Sequence, residues 1–218
     1  MSEPNLSTPT ISIDSNSNDI TKYYTFHERI GEQGQFGYAV VATRKHDNQQ
    51  YAIKIVNKNK FTSVKQRRAH FNELQTEINI LKSIHHRHII KFYETYETND
   101  ILYIVTELCS GGELFDEIKR LGSYNELNAS KILQQCISGL SYLHKHNIAH
   151  CDLKPDNFLF NNNSNDRLIK IIDFGMSKYL DGDRRLHSLR GTPYYIAPEV
   201  ILGMYSIACC VYSASGFG

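Results

Sequence analysis

Apolar and polar side chains alternate through much of the first half of this 218-residue chain. Alternation of this kind is typical of strands that bury one face. It predicts five strands, at residues 24–30, 38–43, 51–56, 89–96 and 101–106. Between the third and the fourth, apolar residues recur at intervals of three and four, which predicts an amphipathic helix over residues 64–83. The apolar positions of that helix are Phe71, Leu74, Ile78 and Leu81.

Helical spacing prevails in the second half of the chain. A short helix is predicted over residues 113–121, and a longer helix begins at a capping box, Ser123 with Glu126. The face of the longer helix that we expect to be buried consists of Ile132, Leu133, Cys136, Leu140 and Leu143. After a polar loop, the apolar run at residues 168–172 is short enough to form a buried strand.

Residues 1–22 differ from both halves, because they are rich in Ser, Asn, Thr and Asp with scattered aliphatic residues. Such a composition buries too little apolar surface to offset the entropy of ordering, so we expect a disordered tail. The tail also lacks the basic and apolar parts of a secretory signal and the Met-Gly start of a myristoylation site.

The composition of the whole chain argues against several classes of function. The formal net charge of +1 provides no basic field for nucleic acid or for an anionic membrane. No apolar run reaches the ~20 residues that a membrane-spanning helix needs, so no membrane anchor is predicted. The five cysteines show no C-x-x-C pairing, which fits free thiols in a reducing compartment, and we expect an intracellular, cytoplasmic protein. The neighbouring Cys209 and Cys210 fit a half-buried helix better than a metal site.

A group of polar residues suited to catalysis follows the long helix. Asp152, Lys154 and Asn157 lie together in a loop, and Asp173 comes directly after the predicted strand at residues 168–172. A strand that delivers Asp173 beside that loop would bring together two carboxylates, an amide and an ammonium group. Such a set can hold a divalent metal ion through oxygen ligands and can accept a proton from a hydroxyl group.

These residues stand in the string H-C-D-L-K-P-D-N at 150–157, which is followed by D-F-G at 173–175. The two strings resemble the catalytic loop and the metal-binding turn of protein kinases. Three further strings resemble the same family: a glycine-rich turn between two strands at 31–37, A-I-K at 52–54, and G-T-P-Y-Y-I-A-P-E at 191–199. The finer match is to the calcium/calmodulin-dependent and calcium-dependent group of Ser/Thr kinases.

The resemblance implies an α+β fold with two lobes. The N-lobe, an antiparallel sheet with one helix, is expected at residues 23–106, and the hinge is expected at residues 107–112. A mostly helical C-lobe would then occupy residues 113–218. We expect this lobe to be incomplete, as in a C-terminally truncated domain, because only 19 residues follow Glu199 whereas the family continues with several helices.

The resemblance also implies a catalytic role for each polar residue of the loop and the turn. Asp152 would accept or orient the proton of the substrate hydroxyl group, and Lys154 would neutralise the γ-phosphate of ATP. Asn157 and Asp173 would hold Mg²⁺. The expected function is transfer of the γ-phosphate of Mg-ATP to Ser or Thr hydroxyl groups of proteins or peptides.

A second set of residues is implied to contact ATP. Lys54 would bind the other phosphates and would be held by Glu77, with Glu73 as the alternative partner. The remaining residues expected at the nucleotide are Gly31, Gly34, Gly37, Ala39, Ala52, Thr106, Glu107, Cys109 and Leu159. Glu113 and Asp156 match family acids that receive basic residues, which implies a preference for Arg or Lys before the acceptor.

Departures from the family pattern keep a second function open. Cys151 replaces the arginine of H-R-D, which normally binds a phosphorylated activation segment, although Ser188 stands at the phosphosite and Lys178 remains. Cys210 replaces an aspartate that hydrogen-bonds the catalytic loop. The alternative is a truncated nucleotide-binding pseudokinase or scaffold without phosphotransfer. A plain interaction module would leave the retained metal and phosphate ligands unexplained.

Overall fold

The computed structural model describes residues 19–31, 37–59, 63–121, 125–180 and 192. The chain divides into two compact units. Unit 1 comprises Met1–Gln75 and Phe92–Glu107, and unit 2 comprises Thr76–Lys91 and Leu108–Gly218. In the described parts of the chain, no helix is both long enough and apolar enough to cross a membrane.

Unit 1 contains five antiparallel strands, close to the five that alternation predicts. They are β1 (Tyr24–Ile30), β2 (Gly37–Arg44), β3 (Gln50–Asn57), β4 (Phe92–Glu97) and β5 (Ile101–Glu107). Their order in the sheet is β1-β2-β3-β5-β4. The prediction that the fourth strand begins at residue 89 is wrong, because Ile89 forms a separate bridge with Ile171 in unit 2.

A core cluster of unit 1 lies on one face of this sheet. Alternation along β3 places Tyr51, Ile53 and Ile55 in the core, whereas Ala52 and Lys54 are half-buried on the opposite face. The other buried members of this core are Ile20, Tyr24, Val40, Ala42, Tyr96 and Val105. The opposite face is mixed, because it carries the half-buried Ala52 and Lys54 together with the buried apolar residues Val56 and Ile104.

Ordered structure begins before the predicted end of the tail. A 3-10 turn spans Ile20–Lys22, and the Asp19 side chain accepts a hydrogen bond from Thr21 N at 3.0 Å. Ile20 joins the core and is 3% exposed. Residues 19–22 thus belong to the fold rather than to the predicted tail 1–22, and residues 1–18 lie outside the described residues.

Three α-helices are described. The first, α1 (Val64–Ser83), has the predicted bounds, and α2 (Leu114–Leu121) nearly so. The third, α3 (Glu126–Lys145), is capped by Asn125, whose side chain accepts a hydrogen bond from Asn128 N at 2.9 Å. The prediction that Ser123 caps this helix is therefore wrong, because Asn125 is the N-cap and lies directly before the first helical residue. Ser123 itself lies outside the described residues.

The buried face of α3 is narrower than predicted. Cys136, Leu140 and Leu143 are buried as expected, together with a small residue, Gly139. Leu133, which we expected to be buried, is 44% exposed. Nearby apolar residues on the same helix are also exposed, namely Leu127 and Ile137. Helical spacing alone cannot separate a buried stripe from an apolar residue at its margin.

Short strands organise the rest of unit 2. The strand β6 (Ile148–Ala149) pairs with β9 (Lys178–Tyr179), and β7 (Phe158–Phe160) pairs with β8 (Ile169–Ile171), both in antiparallel fashion. A 3-10 turn at Pro155–Asn157 precedes β7. The chain from α3 thus passes through β6, a loop, this turn and the hairpin before it reaches Asp173.

Candidate active site

His150 anchors the loop that follows β6. Its ring is fully buried, and Nε2–H donates to Ile172 O at 2.9 Å. The other ring nitrogen, Nδ1, accepts a hydrogen bond from Asp152 N at 3.4 Å. Phe174 contacts the imidazole edge-on with centroids 5.0 Å apart, and Ser177 Oγ donates to His150 O at 3.1 Å. One imidazole therefore links the start of the loop to the segment that follows β8.

The carboxylate of Asp152 is buried and surrounded by donors. Thr192 Oγ1 donates to Oδ1 at 2.7 Å, and Asn157 Nδ2 lies 3.3 Å from Oδ2. The same Nδ2 donates to Asp152 O at 2.7 Å, while Lys154 Nζ lies 3.8 Å from Oδ2. The carboxylate is thus fixed in direction, and one of its oxygens accepts a hydrogen bond from an aliphatic hydroxyl group.

Asn157 and Asp173 are oxygen donors on neighbouring stretches of backbone. Ile172 N donates to Asn157 O at 3.0 Å, which brings the turn within one residue of Asp173. Because the Asn157 amide nitrogen is engaged by Asp152, its Oδ1 is the atom left to act as a ligand. Asp173 is exposed and accepts a hydrogen bond from Gly175 N at 3.3 Å. An amide oxygen and a carboxylate suit Mg²⁺, which prefers oxygen ligands.

Two non-glycine residues here have left-handed backbone, which such residues adopt rarely. They are Cys151, with φ +65°, and Asp173, with φ +58°. The Cys151 thiol donates to Ala149 O at 3.6 Å and is half-buried. The residue that replaces the family's arginine therefore makes a short-range contact with its own loop and carries no fixed positive charge.

Glycine is favoured at two positions of the glycine-rich turn for different structural reasons. At Gly37, the first residue of β2, an added Cβ would lie 1.9 Å from Ile55 O, so no side chain fits. At Gly31, φ is +66° with open space around the position, so the backbone angle favours glycine there. Gly34 lies outside the described residues.

The other expected nucleotide contacts in unit 1 lie on β2, β3 and β5. Ala39 is paired with Lys54, and Ala52 is paired with Thr106, whose Oγ1 donates to Ala52 O at 3.5 Å. These four residues share the face of the sheet opposite the core. Glu107 is the last residue of β5.

The remaining predicted residues lie in unit 2. Glu77 is 4% exposed on α1, and the alternative acid Glu73, which lies in unit 1, is half-buried on the same helix. Cys109 is half-buried. Leu159 is half-buried in β7, opposite Lys170 in β8.

Thr192 contacts Asp152 but was not predicted as a site residue. The sequence placed it only in the family string at 191–199. It is separated from Asp152 by 40 positions, so spacing could not have brought the two together. Ser177 was missed for the same reason. Predictions that concern Ser188, Glu199, Cys209 and Cys210 fall outside the described residues.

Comparison with known proteins identifies the family of this chain. The family model described as "Protein kinase domain" matches residues 24–215. The chain is 42% identical over 199 residues to "Calcium-dependent protein kinase 5" of Plasmodium falciparum (isolate 3D7), covering 91% of this chain and 34% of that protein. It is 41% identical over 197 residues to "Calcium-dependent protein kinase 3" of Plasmodium yoelii yoelii, covering 90% and 35% of the two proteins.

A plant protein is similar to the same degree. "CDPK-related kinase 4" of Arabidopsis thaliana is 40% identical over 195 residues, which cover 87% of this chain and 32% of that protein. The chain belongs to the protein kinase domain family, so the predicted α+β kinase fold is confirmed. Its relatives are calcium-dependent protein kinases and a related plant kinase, and the chain spans about a third of their length.

Proposed function

We propose that this chain is the catalytic part of a protein serine/threonine kinase that transfers the γ-phosphate of Mg-ATP to a hydroxyl group of a protein. The observation that carries the proposal is the hydrogen bond from Thr192 Oγ1 to Asp152 Oδ1 at 2.7 Å. An aliphatic hydroxyl group approaching that carboxylate is the chemistry that an acceptor serine or threonine requires.

Four polar residues of unit 2, namely Asp152, Lys154, Asn157 and Asp173, have a task in this mechanism. Asp152 orients the acceptor hydroxyl group and takes its proton, and Asn157 Nδ2 holds the carboxylate in place. Lys154 Nζ supplies positive charge beside the same carboxylate. Asn157 Oδ1 and the carboxylate of Asp173 would hold Mg²⁺, which neutralises phosphate charge when it is bound.

Unit 1 would bind the rest of the nucleotide. Lys54 is half-buried in the middle of β3, between strands on both sides, and would neutralise the other phosphates. Glycines at the turn before β2 would let backbone N–H groups approach phosphate oxygens. Ala39, Ala52 and Thr106 share the face of Lys54, and their small side chains leave room for the adenine.

The direct test is transfer of labelled phosphate from [γ-³²P]ATP to a serine peptide in the presence of Mg²⁺. We expect transfer by the wild-type chain and a loss of about 10²-fold or more in Asp173→Asn, because one metal ligand is weakened. The matched control is Asp166→Asn, the same chemical change at an exposed loop position of unit 2. Transfer that is equal in both variants would refute the assignment of Asp173.

A thermal-shift measurement with Mg-ATP separates this function from the alternative. Stabilisation by Mg-ATP without any transfer would favour a nucleotide-binding pseudokinase or scaffold, for which the absence of the H-R-D arginine at Cys151 is the favouring observation. Peptides with Arg or Glu upstream of the serine test the expected basic preference. Reversal of an arginine preference in Glu113→Lys would assign that acid to substrate binding.

A further inference from the structure

The loop between α1 and β4, residues 84–91, is tied to β8 by backbone hydrogen bonds. Ile90 N donates to Ile171 O at 2.9 Å, and Ile171 N donates to His88 O at 2.9 Å. The strand β8 leads directly into Asp173. How firmly this loop holds β8 therefore affects how firmly the chain is held just before a proposed metal ligand.

Two histidines complete the contact between the loop and β8. His88 is 5% exposed, and its Nδ1 lies 3.0 Å from Ile169 O, a carbonyl that can only accept, so Nδ1 carries a proton. His86 Nδ1 accepts a hydrogen bond from His88 N at 3.2 Å, so that nitrogen must be unprotonated. The site is tightly closed, because a Cβ at Gly139 of α3 would lie 3.1 Å from His88 O.

The helix α3 also contacts His86. The Tyr142 ring stacks on the His86 imidazole with centroids 4.9 Å apart, and the Tyr142 hydroxyl accepts a hydrogen bond from His85 N at 2.9 Å. Ser138 Oγ lies 3.5 Å from His86 Nε2. His146 also contacts the Tyr142 ring, with centroids 4.2 Å apart. These contacts suit a neutral His86 with its proton on Nε2.

The charges around the two imidazoles oppose a further proton. Arg87 comes from the loop itself, and Lys170, which is 8% exposed, comes from β8. Burial first, and these cations second, hold the pKa of His86 below its usual 6.5. Burial likewise lowers the pKa of His88, although its hydrogen bond to Ile169 O partly opposes the effect.

We propose that His86 and His88 make the contact between this loop and β8 sensitive to protons, so that mild acidification loosens the strand that leads into Asp173. When the loop opens, both imidazoles return to water and take up protons more readily than in the closed form. The closed form is therefore fully favoured above the ordinary pKa of histidine and loses stability as the pH falls through that value. Protonation of His86 Nδ1 would also break its hydrogen bond with His88 N, because two N–H donors would then face each other.

The test is hydrogen exchange at the amides of Ile90 and Ile171, the two donors that join the loop to β8. Exchange rates are divided by the intrinsic chemical rate at each pH, so that only protection is compared. Between about pH 7.5 and about pH 5.5 we expect protection to fall by up to about tenfold per histidine that stays neutral in the closed form. The expected consequence for metal binding rests on the proposed function, whereas the exchange measurement does not.

Substitutions assign the effect to these side chains. The double variant His86→Asn, His88→Asn keeps hydrogen-bonding groups without a titratable ring, and we expect its protection to be independent of pH over this range. His27→Asn, at an exposed position of β1, serves as the matched control and should keep the wild-type dependence. Acid-induced loss of protection that persists in the double variant would overturn the proposal.

A measurement on the wild-type chain guards against variants that fail to fold. Titration of the imidazole NMR signals gives the pKa of each histidine directly. Values for His86 and His88 below that of exposed His27 would support the proposal. Values at or above that of His27 would overturn it, whatever the kinase activity of the chain.

Discussion

Lys54 and Asp152 are positioned in different ways. Lys54 is proposed to neutralise phosphates of ATP, and Asp152 is proposed to take the proton of the acceptor hydroxyl group. Lys54 lies in a regular strand, opposite Ala39 on one side and Ile104 on the other. Asp152 lies in irregular backbone and is held by hydrogen bonds to Thr192 and Asn157. A strand register is maintained by many equivalent bonds, whereas the loop geometry depends on a few polar atoms. The loop should therefore be the more sensitive to single changes.

The largest expected effect sharpens this contrast. In Asp152→Asn the side chain keeps its size but cannot take a proton, so we expect phosphate transfer to fall by about 10²–10⁴-fold. Stabilisation by Mg-ATP should remain, because the carboxylate is not assigned to the nucleotide. In Ala39→Val, a change compatible with a strand, stability should shift by less than about 1 kcal/mol. Comparable losses of transfer in the two variants would remove the distinction.

The next effect tests whether unit 1 also depends on a polar contact. Lys58 Nζ and Glu97 Oε1 are 2.9 Å apart, and both side chains are more than nine-tenths buried. Glu97→Ala leaves a buried ammonium group without its carboxylate, which we expect to cost about 3–5 kcal/mol in urea unfolding. If this value is found, unit 1, like the loop, depends on a single polar contact for its stability.

A surface ion pair provides the control for that measurement. Arg44 and Asp47 also form an ion pair, but at the end of β2, where their side chains are 30% and 22% exposed. Asp47→Ala should change the unfolding midpoint little, because such pairs are screened by water and salt. The double variant Lys58→Met, Glu97→Leu should recover most of the stability lost in Glu97→Ala, and no recovery would mean that packing rather than charge is responsible.

The same contrast explains what the sequence could predict. Periodicity is a local property, so it identified α1 at its observed bounds and most strands of unit 1. It also predicted that Lys54 lies on the face opposite Ile53, since successive residues of a strand alternate. The motif in the loop placed Asp152 and Asn157 in the same segment. These are predictions that need only neighbours along the chain.

Predictions that require distant partners were less successful. The burial of α3 depends on what packs against each side, so Leu133 is exposed although its spacing fits the buried face. Ile20 is buried because it joins a cluster with residues of the sheet, and the composition of the tail could not show this. The bond between Thr192 and Asp152 joins residues 40 positions apart. Sequence spacing carries no information about such contacts.

Replacement of a glycine is expected to affect the sheet by a smaller amount. In Gly37→Ala the new Cβ would clash with the backbone at Ile55 O, so β2 and β3 must separate locally. We expect a loss of about 1–3 kcal/mol in the free energy of unfolding. In Gly31→Ala the space is open and only the positive φ is unfavourable, so the loss should be about 1–2 kcal/mol.

The two glycine variants also differ in what they should do to the nucleotide. Gly31→Ala leaves the strand register intact, so Mg-ATP should still raise the melting temperature. Gly37→Ala disturbs the pairing that positions Lys54, and the shift on addition of Mg-ATP should be smaller. An equal shift in both variants would show that the register of β2 and β3 tolerates the displacement.

The smallest expected effect concerns the loop again. Ser188 stands where family members carry a phosphosite in the activation segment, and Cys151 stands where they carry the arginine that binds it. The Cys151 thiol donates to Ala149 O and has no fixed charge, which leaves Lys178 as a weaker point charge. We therefore expect Ser188→Ala to change transfer by less than about twofold, because the bidentate charge-assisted contact that an arginine would supply is missing. The assay compares initial rates on one peptide, with Ser164→Ala in the exposed loop before β8 as the matched control. A large loss confined to Ser188→Ala would mean that another cation receives the phosphate, and it would make the loop as dependent on a distant charge as the family pattern implies.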